Sequence, residues 1–277
     1  MKNSQKDFKN PNNHPSFKLA IDDRDFLTRN EMRGMRLSLE YLKPEMSLLD
    51  WGVNSTVSVF GSARIRPRHE IEEKISLLAK NSGSYDEMAK LEKQLKMSHF
   101  YDEAQEFSRI ASESGGSMNP YGRKRYNVLA TGGGPGIMEA VNKGAFDVGA
   151  PNIGFGIELP FEQGNNQYIT PGLSFNFHYF SVRKFHLVQR ASAIVVFPGG
   201  MGSLDELAEA VTLRQTNKAH DYLILLYGKE FWTKVVNFDY LIETGVISAS
   251  DMDLLLFADS PQEAWHSLID AGLYIPE

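Results

Sequence analysis

The sequence predicts an α/β fold: a Rossmann-like doubly wound parallel sheet in three α/β/α layers, with extra N-terminal helices. Three observations predict it. Short apolar runs of strand length recur along the chain, as in Thr56–Phe60, Asn127–Ala130, Ala193–Phe197 and Leu223–Tyr227. Three of these runs end in glycine turns, Gly61-Ser62, Thr131-Gly132-Gly133-Gly134-Pro135-Gly136 and Pro198-Gly199-Gly200-Met201-Gly202. After the two longer turns, apolar residues return at helical spacing, so strand, turn and helix alternate as they do in a parallel sheet buried on both faces.

The order of elements follows. Met1 to Pro15 is rich in Asn and Lys and reads as a flexible tail, without the apolar segment of a secretory signal. A helix is expected from about Asp22 to Leu42, with Met32, Met35, Leu39 and Leu42 packing it onto the main domain. Residues 1–50 are thus a tail and helix, and 51–277 a single nucleotide-binding domain with a helical insertion at about 66–100. Glu70 to Glu113 reads as two helices parted by a turn at Asn81-Ser82-Gly83-Ser84. Further strands are expected at Asn152–Ile157, Phe175–Phe177 and Leu254–Phe257. The remaining helices fall at Tyr179–Arg190, from Ser203 or the preceding Gly202 to Gln215, at Glu230–Thr244 and at Pro261–Ala271, the last with proline in its first turn.

Composition removes several classes of function. A formal net charge of -6 offers no long-range attraction to a polyanion, so nucleic acid is not the expected partner. The chain has no cysteine, which excludes disulfides, thiolate nucleophiles and thiolate metal sites. Its 7 histidines show no ligand spacing such as H-E-x-x-H, so no metal and no cofactor is called for; His178 and His186 read as ordinary surface or core residues. No apolar run is long enough to span a bilayer, and the expected location is the cytoplasm.

The chemistry lies in the turns. Glycines after a strand let backbone approach a phosphate, and the next helix presents unpaired N–H groups at its positive end. Two such loops could grip one phosphate. The dinucleotide fingerprint G-x-G-x-x-G fails in both, because Ile137 and Asp205 stand where its third glycine belongs, and neither loop carries the lysine of a P-loop. Gly61 and Ser62 end the first strand. Gly132, Gly133 and Gly134 of one turn, and Gly199, Gly200, Gly202 and Ser203 of the other, are the further candidate substrate- and phosphate-binding residues. Glu206 lies in the first helical turn, where the dipole favours a carboxylate. Arg183 offers phosphate a planar fork and Lys184 a point charge.

Phe180-Ser181-Val182-Arg183-Lys184 and Phe197-Pro198-Gly199-Gly200-Met201-Gly202-Ser203-Leu204-Asp205-Glu206 resemble the arginine-lysine element and the PGGxGTxxE signature of the Lonely Guy family. The likeness extends to Val59–Arg64, Thr131–Ala140 and the run Gly156 to Gln163. That family comprises cytokinin-activating phosphoribohydrolases, formerly labelled possible lysine decarboxylases. The resemblance implies cleavage of the N-glycosidic bond of a nucleoside 5′-monophosphate, AMP or cytokinin-type, to free base and ribose 5-phosphate. It implies Arg183 and Glu206 as catalytic residues, Gly199 to Ser203 as the phosphate loop, and a homodimer or higher homo-oligomer. Ser203 stands where the family has threonine and keeps the hydroxyl. A non-catalytic nucleotide sensor would use the same loops without turnover. A pyridoxal-phosphate decarboxylase would need a Schiff-base lysine, for which Lys184 is the only motif candidate.

Overall fold

The computed structural model describes residues 10–81, 84–159 and 164–276. Seven strands, β1 (Thr56–Phe60), β2 (Val128–Thr131), β3 (Asn152–Ile157), β4 (Ser174–Phe177), β5 (Ala191–Val196), β6 (Leu223–Tyr227) and β7 (Leu255–Ala258), form one sheet. Every pairing is parallel, in the order β4-β3-β2-β1-β5-β6-β7. The helices are α1 (Arg24–Leu27), α2 (Arg33–Asp50), α3 (Arg68–Lys80), α4 (Tyr85–Met97), α5 (His99–Ser114), α6 (Ile137–Asp147), α7 (Phe180–Gln189), α8 (Met201–Gln215), α9 (Lys229–Val235), α10 (Phe238–Glu243) and α11 (Pro261–Asp270).

The central strands of the sheet are buried on both faces, whereas the edge strand β4 alternates exposed Ser174 and Asn176 with buried Phe175 and Phe177. One core sets Phe155, Phe177, Ile194 and Leu226 against Leu48, Leu187, Leu207 and Trp232. The other sets Val57, Leu129, Val195 and Tyr227 against Phe107, Val141 and Trp265. The three-layer, doubly wound architecture read from the sequence is the one observed. Its winding direction reverses between β1 and β5, whose ends lie side by side with Phe60 opposite Val196. In an open α/β sheet, that reversal opens a crevice beyond the carboxyl ends of the strands.

Several expected elements differ. The N-terminal helix does not run from Asp22 to Leu42: α1 is a single turn capped by Asp23, and α2 begins at Arg33 and continues to Asp50. Met35, Leu39 and Leu42 do not pack it onto the domain. They are exposed, and the fully buried residues of α2 are instead Pro44 and Leu48, beyond the end of the expected stripe. Periodicity locates an apolar face without saying what covers it. Residues 70–113 fall in three helices rather than two, since Ser98 starts α5 straight after α4. Of the expected turn, Ser82 and Gly83 lie outside the described residues, as do Met1–Lys9 of the tail and Pro160–Gln163. The helix expected over Glu230–Thr244 is broken into α9 and α10, with the side chain of Asn237 capping the second.

A buried polar knot fixes the turn after β2. Asn142 of α6 accepts from Thr131 Oγ1 at 2.8 Å and from Asn166 Nδ2 at 2.8 Å, and donates to Asn152 Oδ1 at 2.9 Å. Removing it leaves several buried groups unpaired. Asn142→Ala should therefore lower the unfolding free energy by about 2–4 kcal/mol in urea denaturation, whereas a loss below about 1 kcal/mol would show that the knot does not hold the turn.

Candidate active site

A cavity of about 570 Å³ opens at the reversal point between β1 and β5. Gly61, Ser62, Ala63 and Arg64 form one wall, and Gly200, Met201, Gly202 and Ser203 another. The two loops are tied together, because Ser62 N donates to Pro198 O at 3.0 Å. Ile137 N in turn donates to Ser62 O at 3.1 Å, and a Cβ on Gly61 would lie 2.5 Å from the Ile137 side chain. The residue that breaks the dinucleotide fingerprint is thus the one that packs the two turns together.

The second loop delivers a helix end to the cavity. Gly200 caps α8, and Ser203 lies in its first turn, so the amides of Met201, Gly202 and Ser203 have no carbonyl one turn back to accept them. They sit at the positive end of a 15-residue helix, a ready anion site. Gly199 is required by its neighbour: a Cβ there would stand on the Ser203 hydroxyl. The helix starts two residues before Ser203, and this earlier start brings Gly202 into the first turn.

Arg183 and Glu206 face each other in the same cavity. Arg183 Nη1 stands 3.9 Å from Glu206 Oε1, with both side chains nearly buried at 13% and 10% exposure. The guanidinium is pinned by Nε, which donates to Phe155 O at 2.7 Å. Burial pushes the Glu206 carboxyl up to about 7, against the opposing pull of the Lys184 and Arg183 charges. A carboxylate poised near neutrality beside a fixed cation, in a cleft, is a group whose environment suits it for acid–base or charge-stabilising work.

Not every residue named from sequence meets there. Gly61, Ser62, Gly200, Gly202, Ser203, Arg183 and Glu206 line the cavity, whereas Gly132, Gly133, Gly134, Gly199 and Lys184 do not. Lys184 turns to α8, where its Nζ lies 2.7 Å from Asp205 Oδ2 and 2.9 Å from Glu209 Oε2. Adjacent residues on α7 point about 100° apart, so one of the pair takes the cleft and the other the helix contact. Gly132 abuts Arg183, since a Cβ there would meet its Nη2 at 2.2 Å. Gly133 makes room for Asn165, and its carbonyl oxygen accepts from Asn166 N at 2.8 Å. The glycines of this first loop serve close packing by a neighbouring segment.

Sequence reading missed Arg64 and Met138, which line the cavity, and the Asn165-Asn166 pair. Arg64 follows Gly61 by three residues in a turn at a strand's carboxyl end, and that position was signal enough. The asparagines act across the fold, and nothing local marks them. His186 is buried and stacks on Tyr41 and Phe155, while His178 is exposed beside Glu158. Among the described residues no group of three or more His, Asp or Glu could hold a metal ion, and no helix is long and apolar enough to cross a membrane.

Comparison with known proteins locates these features. Residues 138–268 match the family model described as possible lysine decarboxylase. The chain is 28% identical over 153 residues to the probable cytokinin riboside 5′-monophosphate phosphoribohydrolase LOGL3 of Oryza sativa subsp. japonica, covering 54% of this chain and 70% of that protein. It is 31% identical over 96 residues to the cytokinin riboside 5′-monophosphate phosphoribohydrolase LOG1 of Arabidopsis thaliana, covering 34% of this chain and 43% of that one. Among solved structures, a molybdenum cofactor binding protein from Rippkaea orientalis aligns with a TM-score of 0.40 at 18% identity, over 62% of this chain and 86% of that chain. Residues 138–268, the stretch that matches the possible lysine decarboxylase model, carry Arg183, the second glycine loop and Glu206, so the part of the chain that resembles this family is the part that builds the cavity.

Proposed function

We propose that the protein is a phosphoribohydrolase that cleaves the N-glycosidic bond of a nucleoside 5′-monophosphate, AMP or a cytokinin-type nucleotide, releasing free base and ribose 5-phosphate. The observation that carries this reading is the approach of Arg183 to Glu206 across a cavity that also receives the free amides of α8. The family resemblance and the names of the plant relatives support the same reaction.

In this reading the 5′-phosphate accepts from the amides of Gly202 and Ser203 at the start of α8, with the Ser203 hydroxyl beside them. The ribose then lies toward Arg183 and Glu206. Breaking the bond between C1′ and the base nitrogen leaves an oxocarbenium-like sugar, which the Glu206 carboxylate stabilises while it holds the ribose hydroxyls or the attacking water. Water supplies the new oxygen on C1′, and its proton balances the departing base. Arg183 holds its fork against the phosphate or the leaving base, its Nε already fixed by Phe155. Lys184 is not in reach of the cavity and acts on Glu206 only as a nearby charge.

All these roles need Glu206 ionised. Its carboxyl titrates near 7 rather than in the ordinary carboxylate range, so the active form predominates above that pH and is lost below it. kcat/KM for AMP should accordingly fall tenfold per pH unit on the acid side of about 7, and Glu206→Gln should lose a factor of about 10²–10⁴ in kcat. Release of base at the unmodified rate by the variant would remove Glu206 from the chemistry.

Anchoring through the phosphate gives a second expectation. Adenosine should be cleaved at least about 100-fold more slowly than AMP, because remote binding energy is lost with the phosphate. Chromatographic detection of adenine from both reads this directly, and equal rates would contradict the anchor. If a panel of nucleoside monophosphates binds with no free base from any of them, the protein is a nucleotide sensor.

A further inference from the structure

Helix α7 carries Arg183 but does little by itself to hold it in place. Its buried residues, His186, Leu187 and Val188, all lie in the second half, so the turn bearing Arg183 has no fully buried anchor. Only two residues, His178 and Tyr179, join β4 to α7, and Tyr179 at the N-cap makes no side-chain cap. The position calls for a short side chain with an oxygen, which tyrosine does not offer. The Arg183 amide closes the first turn by donating to Tyr179 O at 3.2 Å. A helix of 10 residues is marginal without contacts from outside, and its first turn most of all.

We propose that α2, which lies outside the stretch matched by the family model, sets the position of Arg183 by capping α7 from elsewhere in the chain, with Glu40 as the positioning residue. Both carboxylate oxygens of Glu40 are used. Oε1 accepts from His178 N at 3.0 Å and Oε2 from Tyr179 N at 3.1 Å, so the whole connection from β4 to α7 has its amides on one side chain. The negative charge stands at the positive end of α7, where it is favoured. Tyr179 is therefore bonded through its N–H to Glu40 and through its carbonyl to the amide of Arg183. One peptide unit separates the cap from the residue it positions.

The rest of the α2 face keeps Glu40 in register. Tyr41 stacks on His186 with ring centroids 5.3 Å apart, His186 Nε2 lies 3.1 Å from Tyr41 O, and Gln189 Nε2 donates to the Tyr41 hydroxyl at 3.1 Å. Past the far end of α7, Arg190 meets Glu45 in a two-pronged, nearly buried pair. These contacts hold the second half of α7, whereas Glu40 acts on the half from which Arg183 and Lys184 project. There Lys184 draws the turn toward α8, Phe155 O fixes the guanidinium at Nε, and Glu40 fixes the backbone between them. Misplacing a reacting group by about 1 Å can cost roughly 10²-fold in rate. The catalytic consequence rests on the function proposed above, while the cap itself does not.

Glu40→Gln keeps the size of the side chain but turns an amide donor toward one of the two N–H groups. In the full chain it should speed hydrogen exchange at the Arg183 amide about 10–100-fold, the range expected for lost hydrogen bonds to a charged group, with the amides of α8 unchanged. A double-mutant cycle then separates positioning from general loosening. In single turnovers of AMP with enzyme in excess, Glu40→Gln should slow adenine release about 10–100-fold when Arg183 is present, and by less than about twofold in the Arg183→Ala background. An equal factor in both backgrounds, or an Arg183 amide that exchanges no faster in Glu40→Gln, would overturn the proposal. Should the wild type release no base from AMP, the proposed reaction falls, and exchange at Arg183 still decides whether Glu40 holds the helix.

Discussion

The contact between α7 and α8 is the constraint on which the site depends. Lys184 reaches from one helix to Asp205 and Glu209 on the other, and its burial is outweighed by those two carboxylates, which keep it charged. That staple sets the spacing at which Arg183 and Glu206 meet on the neighbouring faces. Loss of both carboxylates would leave the nearly buried Lys184 an uncompensated ion in a poor solvent, whereas Asp205, 63% exposed, is itself well hydrated. Phe155, on β3, adds the third point by fixing Arg183 through its backbone carbonyl. The geometry of the candidate catalytic pair thus derives from one sheet strand and two helices, none of them a free loop.

Glycine serves two different ends here. Around Gly200 and Gly202 nothing occupies the space a Cβ would take, so the backbone is bare toward the cavity. Around Gly133, Gly154 and Gly156 the space is filled by Asn165 or Ile169, and Gly136, at φ +71, lets Ser62 and Ala63 approach its backbone. The first group opens the site to a ligand, and the second closes the structure behind it. Two glycine turns of similar composition therefore differ in their surroundings, one open to the cavity as the proposed anion seat and the other a joint between β2, β3 and the segment at 164–170.

Much of this was legible in the sequence because the signals were local. β1, β5 and β6 are runs rich in β-branched and aliphatic residues, too short to be helices, and their ends are marked by Gly61, Pro198 and Gly228. Arg183, Ser203 and Glu206 stand out because the turn before α8 and the helix before β5 both lead to the same end of the sheet. What was not legible depends on contacts distant in the chain. Lys184 sits beside Arg183 in sequence, and only the packing of α7 on α8 sends it away from the cleft. Asn142 is an ordinary polar residue until the fold buries it against Thr131, Asn152 and Asn166, and Asn165 until it meets Ser174 and the Phe175 carbonyl. The stripe on α2 was read as a packing face, but Leu48 and Pro44 supplied that face and left the stripe to solvent.

The central claim is that one phosphorylated sugar bridges the start of α8 and the Arg183–Glu206 pair. A crystal structure of the protein soaked with ribose 5-phosphate tests it most directly. The account predicts the phosphate within hydrogen-bond distance of the Gly202 and Ser203 amides, with C1 of the ribose between the Arg183 guanidinium and the Glu206 carboxylate. A sugar bound with its phosphate on the first glycine loop, or with C1 directed away from Glu206, would contradict it.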